Sequence, residues 1–158
     1  MNLRPVDLPP TVRGSLWLSG MPGRYGTWRE FEDKARANGL AMVVCLTPRD
    51  EIDELAPDYG AAVRRGTSSF EWVNLPVPNF GVPPNPQVFR DAIQRIASRI
   101  EQGDSVLMHC AAGMGRTGSA AACVLKALGL SSEDALQRVR AAGSNPQNAA
   151  QSGFVDWF

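Results

Sequence analysis

Residues 109–118 read HCAAGMGRTG, and they join an apolar, strand-like run to a helix-like run. Cys110 and Arg116 bracket this loop, and the five residues between them are enough to curl the backbone around a tetrahedral oxyanion, with successive N–H groups directed inward. A helix that begins near Gly115 would add its positive end to the same place. The sequence therefore predicts an anion-binding loop at the end of a strand, with a cysteine at its base.

The side chains of this loop predict a reactive thiol beside a phosphate clamp. A helix N-terminus and nearby cations stabilise a thiolate, so we expect Cys110 to be ionised at neutral pH. Arg116 offers planar, bidentate hydrogen bonds that match two oxygens of a phosphoryl group. Thr117 places a hydroxyl within reach of the sulfur, and Gly113 and Gly115 suit a loop that needs positive φ and a close backbone approach.

The loop resembles the signature loop of cysteine-dependent protein phosphatases, specifically of the small dual-specificity branch that includes the cyclin-dependent-kinase-associated type. Three further segments resemble that branch, as an early segment, a second strand with its turn, and a general-acid loop: LSGMPG at 18–23, VCLTPRDE at 44–51 and LPVPNFG at 75–81. The resemblance covers nearly the whole chain. It implies that Cys110 attacks the phosphorus of a phosphomonoester and that water then hydrolyses the cysteinyl-phosphate, while backbone amides and Arg116 stabilise the equatorial oxygens.

One position departs from the family pattern. Relatives carry an aspartate in the general-acid loop, and this chain has Asn79 in that place. An amide cannot give a proton at neutral pH, and a positioned acid contributes ~10²–10⁴-fold to rate. Three explanations stay open: another acid serves, with Asp50, Glu51 and Asp53 as candidates; the substrate has a good leaving group, such as a phenol; or the domain mainly binds phosphate esters.

The residues expected to line the substrate site are those of the loop and one neighbouring aromatic: His109, Ala111, Ala112, Gly113, Met114, Gly115, Arg116 and Phe80. Relatives that act on inositol lipids carry lysines at the positions of Ala111 and Met114, and RNA-triphosphatase relatives carry a histidine and an asparagine at those of Ala112 and Gly115. Inositol lipids and RNA triphosphate ends are therefore disfavoured as substrates. The expected substrate is a phosphotyrosine in a protein, with dual specificity as a second possibility.

Three further residues have alternative interpretations. His109 either orients the loop and tunes the thiolate or is a satisfied core histidine. Gln151 matches a glutamine that positions the hydrolytic water in relatives, or it is an ordinary helix residue. Phe80 forms one wall of the entrance or covers the core. Cys45 and Cys123 are expected to be buried hydrophobes, although oxidation could join Cys45 to Cys110 if their strands end at the same edge.

Composition limits the partners. The chain has 158 residues, 44% of them hydrophobic, and a formal net charge of zero, which predicts one phosphatase-like domain over residues 1–158 and no surface for nucleic acid or membranes. An odd number of cysteines and no apolar leader favour a reducing, cytoplasmic setting. His109 is the only histidine, so we expect no metal and no cofactor. The expected partner is a phosphorylated protein or a small phosphomonoester, and the expected state is a monomer.

The predicted fold is α/β, with a mostly parallel sheet of about four to five strands, helices on both faces, and a ligand at the carboxyl ends of the strands. Predicted strands are Ser15 to Ser19, Ala41 to Leu46, Trp72 to Val77 and Ser105 to Met108. Predicted helices run from the cap Thr27 to Ala37, Asp50 to Asp58, Pro86 to Gln102, Ala120 to Leu128, and Ser131 or Ser132 to Ala142.

Two classes of function follow. The first is a metal-independent cysteine phosphatase with a modified or relocated acid. The second is a weakly active or inactive module that binds a phosphorylated partner. The presence of both Cys110 and Arg116 favours the first, because a pure binder needs no thiolate. A sulfurtransferase or arsenate reductase with a similar Cys-loop-Arg arrangement fits the whole-chain resemblance less well.

Overall fold

Five strands form one sheet in the computed structural model, which describes residues 2–158. The strands are β1 (Arg4–Pro5), β2 (Ser15–Ser19), β3 (Leu40–Cys45), β4 (Glu71–Asn74) and β5 (Ser105–His109). Their spatial order is β1-β2-β5-β3-β4, and only the β1–β2 pair is antiparallel. The predicted α/β fold with a mostly parallel sheet is confirmed.

Seven helices connect and cover the strands within these residues. They are α1 (Trp28–Ala37), α2 (Arg49–Leu55), α3 (Pro57–Arg65), α4 (Pro86–Glu101), α5 (Gly115–Ala127), α6 (Ser132–Ala141) and α7 (Ala149–Trp157). No helix in the described part of the chain combines the length and apolar character that crossing a membrane requires.

The alternating side chains of the central strands build two hydrophobic cores, one on each face of the sheet. Val43, Cys45 and Leu107 face the core that α1, α2 and α3 cover. Val44 and Met108 face the larger core, where α4, α5, α6 and α7 pack. The apolar run in α5 is buried on all sides, as its composition predicts. Helices on both faces therefore hold the sheet rigid beneath the loop that follows β5.

Two helices replace the single acidic helix expected over Asp50 to Asp58. The helix is interrupted at Ala56, whose φ of −149° and ψ of 73° are not helical, because a residue before proline is disfavoured in the helical region. Pro57 then starts α3. Arg64 and Arg65 lie in the last turn of α3, where their charges complement the helix dipole.

The fourth strand is shorter than predicted and ends at Asn74 instead of Val77. Pro76 has no N–H to give to a ladder. The segment nevertheless stays beside β3, since the N–H groups of Leu75 and Val77 donate to the carbonyls of Cys45 and Leu46 at 2.9 and 3.0 Å. This pairing brings the loop that contains Asn79 to the carboxyl edge of the sheet.

Candidate active site

The loop between β5 and α5 lies where the carboxyl ends of three strands meet. His109 pairs with Ser19 of β2 on one side and with Cys45 of β3 on the other. Gly113 has a φ of 75°, and a Cβ there would collide with the carbonyl of Ser19. The predicted need for glycine at Gly113 is therefore confirmed. Gly115 differs, because it is the first residue of α5 and the side chain of Gln147 takes up the space beside it.

Cys110 is almost fully buried at the base of the loop, with 3% of its surface exposed. Thr117 Oγ1 donates a hydrogen bond to its Sγ at 3.0 Å, and the Gly113 N–H donates to the same sulfur at 3.3 Å. The two donors and the N-terminus of α5 give a negative sulfur the partners it needs.

The Arg116 guanidinium is held by an acidic side chain and a carbonyl. Its Nη1 donates to Glu51 Oε1 at 3.1 Å and to the Val77 carbonyl at 3.0 Å, and its Nη2 donates to Glu51 Oε2 at 2.8 Å. Arginine has five N–H donors. These bonds leave the Nε–H and one N–H of Nη2, which lie along one edge of the guanidinium and match two oxygens of a phosphoryl group.

His109 is completely buried below the loop. Its Nδ1 lies 3.0 Å from the Cys110 carbonyl, which can only accept, so Nδ1 carries the proton. Its Nε2 therefore accepts from the Tyr59 hydroxyl at 2.7 Å, and that hydroxyl accepts from Trp72 Nε1 at 2.8 Å. Burial, assisted by the charge of Arg116, lowers the pKa of His109 to about 4. The imidazole is thus neutral and orients the loop through the Cys110 carbonyl.

A second arginine holds the loop from behind. Arg4 in β1 donates from Nη2 to the Gly113 carbonyl at 2.7 Å, and from Nη1 to Ser144 Oγ at 3.0 Å and the Ala142 carbonyl at 2.6 Å. Ser144 Oγ donates to the same Gly113 carbonyl at 2.6 Å. We call these contacts of Arg4 and Ser144 the Gly113 clamp. Burial lowers the pKa of Arg4, and the charge of Cys110 acts in the opposite direction.

An open cleft lies in front of Cys110. The predicted site residues that line it are Cys110, Arg116, Ala111, Ala112, Gly115, Asn79, Phe80 and Glu51. Four other lining residues were missed by sequence reasoning: Arg24, Glu54, Leu55 and Gln147. Gly113 and Met114 instead line a neighbouring depression, together with Arg4 and Tyr25.

The three proposed alternative acids lie in different places. Glu51 is in the cleft, paired with Arg116. The Asp50 side chain accepts from the N–H of the next residue, Glu51, at 3.0 Å. Asp53 pairs with Arg64 at 2.7 Å and lines a separate groove between α2 and α3. Of these candidates, the structure brings only Glu51 to the cleft.

The loop with Asn79 forms a tight turn, in which the Gly81 N–H donates to the Pro78 carbonyl at 2.8 Å. Phe80 has a φ of 60°, an uncommon value for a bulky residue, and the residue is 60% exposed. Asn148 Nδ2 donates to the Phe80 carbonyl at 2.8 Å. The contact with α7 holds this turn over the cleft, and the Phe80 ring lines the cleft instead of covering the core.

Gln151 lies behind the cleft and is 1% exposed. Its Oε1 accepts from the Gln147 N–H at 2.8 Å, and its Nε2 donates to the Gly81 carbonyl at 3.2 Å. Both ends of the amide are therefore engaged: the Nε2 bond joins α7 to the Asn79 turn, and the Oε1 bond holds the segment that precedes α7. Gln147, four residues earlier, is the glutamine whose side chain lines the cleft.

The disulfide considered between Cys45 and Cys110 does not fit the fold. The three cysteines are free, and the Cys45 thiol lies in the core under α1 to α3, whereas Cys110 packs against the core on the opposite face. Cys45 is hydrogen-bonded to Thr47, with Sγ 3.2 Å from Oγ1, and burial raises its pKa. Burial also raises the pKa of Cys123 to about 12, as expected for an inert core thiol.

Within residues 2–158, no three or more histidine, cysteine, aspartate or glutamate side chains lie together in a group that could hold a metal ion. The cleft instead offers a cysteine sulfur, a guanidinium edge and loop backbone amides. This set is suited to a tetrahedral oxyanion that a nucleophile attacks.

Comparison with known proteins places this arrangement in a class. Residues 26–153 match the family model described as "Swiss Army Knife protein, DSP-PTPase phosphatase domain". A viral relative, "Putative tyrosine phosphatase 067L" of Invertebrate iridescent virus 3, is 28% identical over 106 residues, which are 65% of this chain and 40% of that protein. The chain thus spans less than half the length of this relative.

Two solved structures share the fold. A kinase-associated phosphatase with its catalytic cysteine changed to serine superposes with a TM-score of 0.83 at 16% identity, over 98% of this chain and 92% of that one. Tk-PTP in its active form superposes with a TM-score of 0.70 at 27% identity, over 94% and 95%. The fold and the site define a cysteine-dependent phosphatase domain. The chain belongs to the DSP-PTPase phosphatase domain family of the Swiss Army Knife protein.

Proposed function

We propose that this domain hydrolyses phosphomonoesters, with a phosphotyrosine in a protein as the preferred substrate. The observation that supports this most directly is the convergence of the buried Cys110 sulfur and the free edge of Arg116 on one open cleft. Thr117 Oγ1 and the Gly113 N–H donate to the sulfur, so the nucleophile is held in position by hydrogen bonds in the absence of substrate.

In the proposed reaction the Cys110 thiolate attacks phosphorus, the bond to the leaving oxygen breaks, and water then cleaves the phosphorus–sulfur bond to release inorganic phosphate. The Nε–H and Nη2–H of Arg116 bind two equatorial oxygens and loop amides bind the third, where charge spreads in the transition state. His109 acts as a positioning residue, because its neutral imidazole contacts the Cys110 carbonyl and not the cleft.

A phenol is the leaving group that the site favours. The exposed Phe80 ring and the Leu55 side chain both line the cleft and offer apolar surface to an aromatic substrate. A phenol also needs less protonation than an alkoxide, which suits a turn that carries Asn79 in place of an acid. Phosphoserine and phosphothreonine are then poorer substrates.

The second candidate is a module that binds a phosphorylated partner with little or no turnover. It is favoured by one observation: Asn79 lines the cleft where relatives place their general acid, and its amide can only hydrogen-bond the leaving oxygen. In this case Arg116 and the loop would hold the phosphate, and Cys110 would contribute nothing beyond packing.

Hydrolysis of a phosphotyrosine and a phosphothreonine peptide separates the two candidates. We would compare wild type, Cys110→Ser and Asn79→Asp across mildly acidic to mildly basic pH. Turnover by wild type, its loss in Cys110→Ser and little change in Asn79→Asp support a phosphatase whose acid lies outside the Asn79 turn. Turnover by Asn79→Asp alone would contradict the proposal and indicate a phosphate-binding module.

A further inference from the structure

Two carboxylates line the cleft with Cys110 among the described residues, Glu51 and Glu54. They are three positions apart in α2, so they share a face of that helix. Glu51 gives both of its oxygens to Arg116. Within residues 2–158, the Glu54 side chain has no salt bridge and no hydrogen bond, and the residue is exposed and lines the cleft.

The arrangement of charges excludes the other acids of α2 from proton transfer to the substrate. Glu51 accepts hydrogen bonds from Arg116 through both of its oxygens, so neither oxygen is available to carry a proton to the substrate. Asp53 turns away toward Arg64, and Asp50 bonds the helix backbone. Glu54 is thus the acidic group of α2 that is both in the cleft and unengaged.

We propose that Glu54 is the general acid and base of this phosphatase, replacing the function that Asn79 cannot perform; the inference rests on the proposed hydrolytic function. In the first step the sulfur–phosphorus bond forms, the bond from phosphorus to the leaving oxygen breaks, and the Glu54 carboxyl gives its proton to that oxygen. In the second step the Glu54 carboxylate takes a proton from water as water attacks phosphorus, and Cys110 leaves as thiolate.

The positions of Glu51 and Glu54 along α2 give the two carboxylates different roles. Glu51, in the first turn, contacts the guanidinium, while Glu54, one turn further along, is exposed and lines the same cleft as Phe80 and Leu55. The leaving group of a bound phosphomonoester points out of the loop into this cleft, because the phosphate occupies the loop itself. Glu54 therefore acts on the leaving oxygen, and Glu51 acts only through Arg116.

The test is a comparison of leaving groups in Glu54→Gln and wild type. For a phosphotyrosine peptide we expect kcat to fall about 10²-fold or more, the size of a lost general acid, with little change in KM. For dinitrophenyl phosphate, whose leaving phenol needs no proton, the initial burst of phenol should keep its wild-type rate. The phosphotyrosine rate should also lose the part of its pH dependence that comes from the acid.

Two further variants control for structure. Asp58→Asn changes an exposed acid in the first turn of α3 that lies outside the cleft, and it should leave both substrates unaffected. Asn79→Asp in the Glu54→Gln background returns a carboxyl to the turn opposite, and it should restore part of the phosphotyrosine turnover. Circular dichroism of each variant checks that the fold is intact.

The outcomes distinguish this inference from the proposed function. If wild type turns over and Glu54→Gln is equally fast on both esters, or slower on both by the same factor, Glu54 is not the acid and the phosphatase proposal still stands. If wild type releases no phenol even from dinitrophenyl phosphate, the proposed function fails and the role of Glu54 fails with it.

Discussion

Glu51 holds Arg116 in a two-bond ion pair, with its Oε1 3.1 Å from Nη1 and its Oε2 2.8 Å from Nη2. The arginine side chain is 3% exposed and the glutamate side chain 21%, so water screens the pair only in part. The pair fixes which edge of the guanidinium faces the cleft. In the proposed mechanism, phosphate recognition therefore depends on a residue that does not itself touch the phosphate.

Replacing Glu51 by glutamine removes the charge of this partner but keeps its shape. We expect kcat/KM to fall by about tenfold or more, because a hydrogen bond to a charged group contributes ~1.5–3 kcal/mol and the guanidinium loses its fixed orientation. Steady-state hydrolysis measures the effect. The control is Asp53→Asn on the same helix, whose exposed pair with Arg64 contributes little. Equal effects of the two variants would contradict the orienting role of Glu51.

Because of the Gly113 clamp, we expect the catalytic rate to depend on the geometry of the Arg4 side chain and not only on its charge. Arg4→Lys keeps the positive charge near Cys110 but cannot bridge the Gly113 and Ala142 carbonyls and Ser144 at once. We expect kcat to fall about tenfold, with a smaller change in KM, and Ser144→Ala to act in the same direction. Arg4→Lys with wild-type kcat would show that the clamp does not position the loop.

The neutral state of His109 predicts a pH dependence of stability. Its pKa is about 4 in the folded protein against 6.5 for an ordinary histidine, so between these values the unfolded chain binds more protons than the native one. The free energy of unfolding should therefore fall as pH decreases from 6.5 toward 4, by about 3 kcal/mol from this group. Urea denaturation over this range measures it. His109→Gln should be less stable but should show a smaller slope, and an unchanged slope would contradict the assignment.

The exposed ring of Phe80 predicts a preference among substrates. In Phe80→Ala the KM for a phosphotyrosine peptide should rise several-fold, while that for a phosphothreonine peptide should change less, because only the tyrosine ring gains from aromatic contact, worth ~0.5–1.5 kcal/mol. Val88→Ala, which removes another exposed side chain outside the cleft, is the control. Equal changes in KM for the two peptides would argue against an aromatic wall.

The strand-loop-helix at residues 109–118 was predictable because local rules determine it: an apolar run, a glycine with positive φ at Gly113, and an apolar helix. The cap at Thr27 was predicted for the same reason, and the structure selects Ser131 over Ser132, the two caps that the sequence allowed for α6. The break at Ala56 was missed, although Pro57 carries the signal that could have revealed it.

The partners of the loop could not be predicted, because long-range contacts supply them. Arg4 reaches Gly113 across 109 positions of sequence, and Glu51 reaches Arg116 across 65. Glu51 was identified as a candidate acid from its place after a strand, but only the three-dimensional structure shows that its carboxylate is paired with Arg116. The only signal for Glu54 in the sequence was its spacing of three from Glu51. Gln151 was chosen as the glutamine of the site, but Gln147, which has the same amide group, is the one that lines the cleft.

The cysteinyl-phosphate is the species that only the proposed mechanism produces, so its detection is the most direct test. We would mix wild type with a phosphotyrosine peptide, quench within the first turnover, and measure the mass of the intact protein and of the fragment that contains Cys110. The mechanism predicts one added phosphoryl group on Cys110, formed with a burst of dephosphorylated peptide equal to the enzyme present, and neither in Cys110→Ser. Peptide hydrolysis without phosphate on Cys110, or no hydrolysis at all, would contradict it.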